Sequence, residues 1–126
     1  MSEMIASLVA GHRAIEAALD ACAQGFDAAT LPRVRGLLAH HYRAEEAFLT
    51  RLHGHDPALA AKLRAQHDEA LEIADRLAES LAAGDAGDVV YLGRRLLAIA
   101  QHNMIEEERD VFPHAPISEP DSRPDR

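Results

Sequence analysis

The sequence contains one cysteine, Cys22, so it cannot form an internal disulfide bond. Tryptophan is absent, aromatic residues make up only 4% of the chain, and β-branched residues are few. Because strands are enriched in aromatic and β-branched residues, their scarcity disfavours a β-sheet protein. The residues that predominate instead are Ala, Leu, Glu and Arg, which are strong helix formers. The composition therefore predicts an all-α fold.

Long apolar runs and basic clusters are also missing. No apolar stretch approaches the roughly 20 residues that a membrane-spanning helix requires. The segment from Met1 to Gly11 includes Glu3 and lacks the basic region of a secretory signal peptide. The formal net charge is −8, which argues against a phosphate-binding surface as the main function. We therefore expect a cytoplasmic protein that binds neither nucleic acid nor membrane.

The spacing of apolar residues predicts four amphipathic helices. Their predicted spans are about residues 2–24, 30–54, 56–84 and 85–113. Asp56-Pro57 is a typical helix start, and Gly84 is a typical stop. Long helices joined by short turns favour an up-down-up-down four-helix bundle over residues 1–113. Residues 114–126 carry three further prolines without any periodicity, and we predict that they form a disordered tail.

Eight histidines in 126 residues are an unusually high content, and their positions are informative. Each predicted helix places one histidine on its otherwise apolar face, and the second and fourth helices each add a glutamate one turn later. These six residues are His12, His41, Glu45, His67, His102 and Glu106. Folding the chain at turns near residues 27, 55 and 85, with a rise of about 1.5 Å per residue, brings the four histidines within roughly one helical turn of the same level. We therefore predict that they converge in the core.

Four imidazoles and two carboxylates at one point in a core indicate a metal site. An ionised carboxylate buried without a partner costs several kcal/mol, and a pair of divalent cations supplies the missing charge. Imidazole and carboxylate ligands together suit iron, manganese or zinc. The remaining histidines fall on outer faces, in turns or in the tail, and are predicted to be solvated: His40, His53, His55 and His114. The alternative is a purely structural bundle that binds adventitious metal.

Four segments of the sequence carry a family resemblance. They are His-Arg-Ala-Ile from His12, His-Tyr-Arg-Ala-Glu-Glu-Ala-Phe-Leu from His41, His-Asp-Glu-Ala-Leu from His67, and His-Asn-Met-Ile-Glu-Glu-Glu-Arg-Asp-Val-Phe-Pro from His102. In this order, over about residues 5–113, they resemble the hemerythrin-like, or HHE cation-binding, family. The resemblance implies a bundle that holds two non-haem irons joined by an oxo or hydroxo bridge.

Carried over by position, the resemblance implies a role for each candidate ligand. The four histidines would be terminal ligands, and Glu45 and Glu106 would bridge the two irons. The interval from His102 to Phe112 is one residue longer than the family pattern, and alignment on Phe112 would make Glu107 the bridge. At about 100° per residue, Glu106 lies near the azimuth of His102, which favours Glu106 as the bridge.

A second departure from the family pattern concerns Leu71. Oxygen-carrying members have a further histidine at this position, and a site without it resembles the variety that includes proteins implicated in nitric oxide response and iron–sulfur repair. Fewer ligands leave more positions open on iron. We expect a protein that binds or reacts with oxygen, nitric oxide or hydrogen peroxide as a sensor, scavenger or stress-response protein. Iron donation and reversible oxygen carriage are the alternatives, and no residue is identified as a general acid or base.

Overall fold

The computed structural model describes residues 3–114, and nearly all of them are helical. The four long helices are α1, Glu3–Asp20; α2, Thr30–His55; α3, Pro57–Ala83; and α4, Ala86–Glu106. A π-helix, Glu107–Val111, continues α4 and leads into a 3-10 turn, Phe112–His114. Consecutive helices pack side by side, and α1 closes the bundle against α4. The prediction of an all-α four-helix bundle is confirmed, whereas the predicted tail, apart from His114, lies outside the described residues.

Aspartate side chains begin the last two long helices by accepting hydrogen bonds from free backbone amides. Asp56 accepts from the amide of Leu59 at 3.0 Å, and Asp85 accepts from the amide of Asp88 at 3.0 Å. Gly84 ends α3 with φ of 70°, a left-handed conformation that glycine adopts without steric cost. These turns fix where α3 and α4 begin, and thereby which residues of each helix lie at a given level of the bundle.

The core consists of two apolar clusters separated by a polar layer. The larger cluster has fully buried members on all four helices, among them Ile15, Leu19, Leu38, Ala70, Leu77 and Leu96. The smaller cluster lies towards the start of α1. Its buried members include Leu8, Phe48, Leu49, Leu52, Leu63 and Phe112. Each helix contributes buried polar residues between its apolar segments. The polar layer therefore crosses the bundle at one level, where apolar packing holds its side chains from both sides.

The structure also places Cys22 and three further histidines. Cys22 is buried within the larger cluster, where it packs as a small apolar residue. The predicted solvated positions of His40, His53 and His55 are confirmed, since all three are exposed. Within residues 3–114, no helix has the length and apolar character needed to cross a membrane.

Candidate metal centre

The polar layer contains three histidines and two glutamates, each at most 5% exposed. α1 contributes His12, α2 contributes His41 and Glu45, α3 contributes His67, and Glu107 is the first residue of the π-helix that follows α4. Ligand atoms of four of them, His12, His41, Glu45 and Glu107, all lie within 4.8 Å of one another. Of the six residues predicted from the sequence, the structure brings together His12, His41, Glu45 and His67, and it adds Glu107.

The two carboxylates lie between the imidazoles and share them. Glu107 Oε1 is 3.0 Å from His12 Nε2, and Glu107 Oε2 is 3.0 Å from His67 Nε2. Glu45 Oε1 is 3.1 Å from His41 Nε2, and Glu45 Oε2 is 3.2 Å from His67 Nε2. Each carboxylate therefore has one oxygen on the side of His12 and His41 and the other on the side of His67.

Some of these close approaches are not hydrogen bonds. Neither His12 Nε2 nor Glu107 Oε1 makes a hydrogen bond within the described residues, although the two atoms are 3.0 Å apart. Glu45 Oε2, 3.2 Å from His67 Nε2, is likewise without a hydrogen bond there. Buried polar atoms are nearly always paired in native proteins, so converging lone pairs require an explanation. A cation that accepts nitrogen and oxygen lone pairs provides it, and the residues present therefore fit a metal.

The carboxylates of the cluster need positive charge beside them. Burial lowers the pKa of His12, but the neighbouring carboxylates of Glu107 and Glu45 outweigh burial and raise this pKa to about 10. The same opposing effects raise the pKa of His67 to about 9. Burial by itself would raise the pKa of Glu45, but its imidazole partners hold that pKa well below the usual range, whereas burial raises the pKa of Glu107. Protons on the imidazoles and metal cations therefore compete to supply the same charge.

The structure corrects the predicted positions on the fourth helix. The side chain of His102 is 70% exposed, with Nε2 at 3.6 Å from Glu106. Glu106 lies at the edge of the bundle, where its carboxylate accepts hydrogen bonds from Lys62 Nζ at 2.5 Å and from Gln66 Nε2 at 3.0 Å. Neither His102 nor Glu106 belongs to the buried cluster. Glu107, which the alignment on Phe-Pro favoured, takes the place predicted for Glu106.

The helical periodicity of α4 explains this correction. Its buried face runs at spacings of four, three and four residues: Leu96, Ala100, Asn103 and Glu107. At about 100° per residue, Asn103 and Glu107 lie within about 20° of Leu96, whereas His102 lies about 120° away. The predicted face, which contains His102 and Glu106, is therefore rotated by one residue from the observed one.

Asn103 is a further buried polar residue beside the cluster, and it was not predicted from the sequence. It precedes Glu107 by four residues, which is also the spacing of His41 and Glu45, so it occupies the position of the histidine in an HxxxE pair. That spacing, together with the alignment on Phe112-Pro113, could have identified Asn103 and Glu107 as the buried pair from the sequence. An asparagine attracts less attention than the adjacent His102, because imidazole is the commoner metal ligand.

A chain of hydrogen bonds connects Asn103 to the surface. Asn103 Nδ2 donates to Glu107 Oε2 at 3.1 Å and to Gln66 Oε1 at 2.7 Å. Gln66 donates to Glu106, which also accepts from Lys62. Glu106 therefore supports the cluster from outside, because it orients Gln66 and Gln66 orients Asn103.

His12 is held by a further carboxylate, that of Glu108. His12 Nδ1 lies 2.7 Å from Glu108 Oε2, and Arg13 pairs with the same carboxylate. A histidine whose Nδ1–H is held by a carboxylate presents the lone pair of Nε2 to a metal. Glu108 thus fixes both the orientation of the His12 ring and the nitrogen that faces the cluster.

Aromatic rings pack against two of the imidazoles, and one of them borders a cleft. Phe112 stacks on His12 with ring centroids 5.8 Å apart, and Tyr42 stacks on His67 at 3.9 Å with an angle of 7° between the rings. Tyr42, His67 and Leu71 line a surface cleft of about 690 Å³ between α2 and α3. The cleft therefore borders the His67 side of the cluster.

Comparison with known protein families gives a match over nearly the whole chain. Residues 3–115 match the model of the hemerythrin HHE cation-binding domain. The chain belongs to the hemerythrin HHE family. No curated protein and no solved structure gives a significant match. The buried histidines and glutamates of this hemerythrin HHE domain are the groups that could bind a cation.

Gly11 brings α1 close to α2 beside the centre, because a Cβ atom at this position would overlap the imidazole of His41. We expect Gly11→Ala to displace that ring and to weaken cation binding by this hemerythrin HHE domain at least about tenfold, the lower end of the effects caused by changes around metal ligands. Equilibrium dialysis of the purified protein against Fe(II) under nitrogen measures the affinity.

Gly36→Ala is the matched control for this prediction. Gly36 lies within α2, and nothing lies within 4 Å of a Cβ atom there. This variant should keep the metal affinity and stabilise the helix by roughly 0.5–1 kcal/mol. If the two variants bound Fe(II) equally well, the close approach at Gly11 would not be what positions His41.

Proposed function

We propose that this chain is a non-haem di-iron protein that binds or reacts with oxygen, nitric oxide or hydrogen peroxide, as a sensor, scavenger or stress-response protein. The observation that carries the proposal is the position of two buried carboxylates between two sets of nitrogen ligands. Glu45 and Glu107 each offer one oxygen to either side. Carboxylates that are shared in this way suit two neighbouring cations, and membership of a cation-binding family supports the proposal.

Each of the two metal positions has its own ligands in the chain. Position one comprises His12, His41 and the Oε1 atoms of Glu45 and Glu107. Position two comprises His67 and the Oε2 atoms of the same glutamates. Mixed imidazole and carboxylate ligands suit iron among the first-row metals. Ferrous iron, when bound, supplies electrons for oxygen or peroxide and an open site for nitric oxide.

Position two lies beside a surface cleft, because the imidazole of His67 borders it. The cleft between α2 and α3 is lined by His67, and Leu71 lies on the same helix one turn further along. Leu71 is partly buried and offers no lone pair, so it narrows the approach to His67 without occupying a metal coordination position. Tyr42 packs flat on His67 and limits the movement of this ring. Tyr42 thus holds the imidazole of position two in place, and Leu71 adds no ligand there.

The proposal predicts rapid oxidation of the reduced protein in air. Stopped-flow absorbance after mixing ferrous protein with aerated buffer should show oxidation within minutes, and nitric oxide added under nitrogen should change the spectrum. Leu71→His places a further ligand beside position two and should slow the oxidation several-fold, provided that the ring fits without overpacking.

Leu81→His serves as the control, because Leu81 is a partly buried residue of α3 that packs on the larger apolar cluster, away from the metal centre. Oxidation of this variant should proceed at the wild-type rate. A spectrum that persists for hours in air and returns to the reduced form under vacuum would favour reversible oxygen carriage instead. Absence of any spectral change with oxygen and with nitric oxide would refute the proposed function.

A further inference from the structure

We propose that the two metal positions are unequal: position one binds its cation tightly, and position two, which is completed by the side-chain oxygen of Asn103, binds a second cation more weakly. This inference rests on the proposed di-iron centre but not on any reaction of that centre. It concerns the ligands that this chain provides, and it distinguishes a form with one cation from a form with two.

The two positions differ first in their nitrogen ligands. Position one has two buried imidazoles, His12 and His41, whereas position two has one, His67. At two positions on the His67 side, a histidine would add a second nitrogen ligand. They are occupied here by Leu71 and Asn103. Leu71 offers no lone pair, and Asn103 offers only an amide. Because both carboxylates are shared, the difference in affinity between the positions must come from these unshared ligands.

The orientation of the Asn103 amide follows from its hydrogen-bond partners. The carboxylate of Glu106 only accepts, so the group of Gln66 beside it is the donor Nε2, and Gln66 presents Oε1 to Asn103. Glu107 is also an acceptor, so Asn103 must direct its Nδ2 towards both Gln66 and Glu107. These contacts assign the nitrogen and the oxygen of the amide by elimination.

The remaining atom of the amide, Asn103 Oδ1, has the surroundings expected of an atom that binds a cation. Asn103 is 2% exposed, and its Oδ1 makes no hydrogen bond within the described residues. A buried amide oxygen without a partner is uncommon in native proteins. Asn103 Nδ2 contacts Glu107 Oε2, the same oxygen that lies 3.0 Å from His67, so the amide lies beside position two. Amide oxygens are established ligands of hard cations.

With an amide oxygen in place of an imidazole nitrogen, position two should bind its cation less tightly and should prefer harder cations. A neutral amide oxygen binds first-row divalent metals less strongly than an imidazole nitrogen, and oxygen-rich positions favour harder cations. Position one should therefore fill first, and position two should fill only when the cation is in excess. At limiting iron the protein should carry one cation per chain.

Titration of metal-free protein with Fe(II) under nitrogen tests this inference through binding alone. Equilibrium dialysis with metal analysis should show two steps whose dissociation constants differ at least tenfold. His67→Ala should lose the weaker step and keep the tight one, whereas His41→Ala should lose the tight step. Circular dichroism of each variant before the titration verifies that it is folded.

Variants at Asn103 test the role of its oxygen directly. Asn103→Asp, which keeps the shape and adds a charged oxygen, should strengthen the weaker step at least tenfold. Asn103→Leu, which removes the oxygen at similar size, should abolish that step, and the tight step should persist in both variants. Two equal steps in the wild type, or a weaker step that neither variant changes, would overturn the inference while leaving the di-iron proposal intact. Absence of any Fe(II) binding by the wild type would refute the proposed function and this inference with it.

Discussion

Glu107→Gln is expected to weaken iron binding at both proposed metal positions at least about tenfold, because even the partners of metal ligands have effects of that size. The two oxygens of Glu107 lie 3.0 Å from His12 and 3.0 Å from His67, so a loss of its charge affects both sides of the centre. Metal analysis of protein purified from iron-replete medium, together with Fe(II) dialysis, measures the effect.

Glu106→Gln is the control for this variant, since it makes the same chemical change one residue earlier. Glu106 accepts hydrogen bonds from Lys62 and Gln66 at the edge of the bundle, and a glutamine can still accept one from Gln66. Its iron content should match the wild type. The opposite result, with iron lost from Glu106→Gln and retained by Glu107→Gln, would restore Glu106 as the shared carboxylate.

Removal of iron should lower the melting temperature of the wild type by on the order of 10 °C, and His41→Ala should abolish most of this difference. The reason is that the buried ligands are assembled only in the folded chain, so binding of the metal stabilises the folded state alone. Thermal unfolding followed by circular dichroism, on iron-loaded and chelator-treated samples, gives the difference. The loss of the buried His41 ring also lowers the melting temperature through packing. Comparison of iron-loaded with chelator-treated samples of the same variant removes that contribution.

His102→Ala is the control here, because the sequence alone predicts it to be a ligand and the structure places it 70% exposed. This variant should keep the full difference in melting temperature between the iron-loaded and the chelator-treated protein. His53→Ala, at another exposed position, should do the same. A loss of iron-dependent stabilisation in His102→Ala would mean that this side chain joins the metal after all.

The bundle and the level of its polar layer could be predicted because both depend on helix periodicity and turn positions. Asp56 and Gly84 mark the ends of α3 clearly, and an error of a few residues at a helix end moves a buried residue by less than about one turn along the axis. His12, His41 and His67 lie far from such ends. Their common level therefore followed from the sequence.

The orientation of α4 could not be predicted in the same way, because two pairs of polar residues follow one another in its last turns. His102 with Glu106 and Asn103 with Glu107 share the same spacing of four residues, so spacing alone does not distinguish them. A rotation of the helix by one residue exchanges one pair for the other. Contacts of Glu107 with imidazoles of other helices decide between them, and periodicity carries no information about those contacts.

The groups that orient the cluster were also beyond sequence reasoning. The contact of His12 with Glu108 joins residues 96 positions apart, and that of Asn103 with Gln66 joins residues 37 positions apart. Such contacts depend on how two helices are rotated relative to each other and on side-chain rotamers. Composition and hydrophobic spacing leave both undetermined, so Glu108 and Gln66 were indistinguishable from ordinary surface residues.

The position of the metal can be measured most directly by anomalous scattering at the iron edge from crystals of iron-loaded protein. We predict the strongest peak in the polar layer, within coordination distance, about 2.0–2.3 Å, of His12, His41 and both shared carboxylates, with a second, weaker peak beside His67. A strongest peak beside His102, or no peak in the polar layer, would contradict this account.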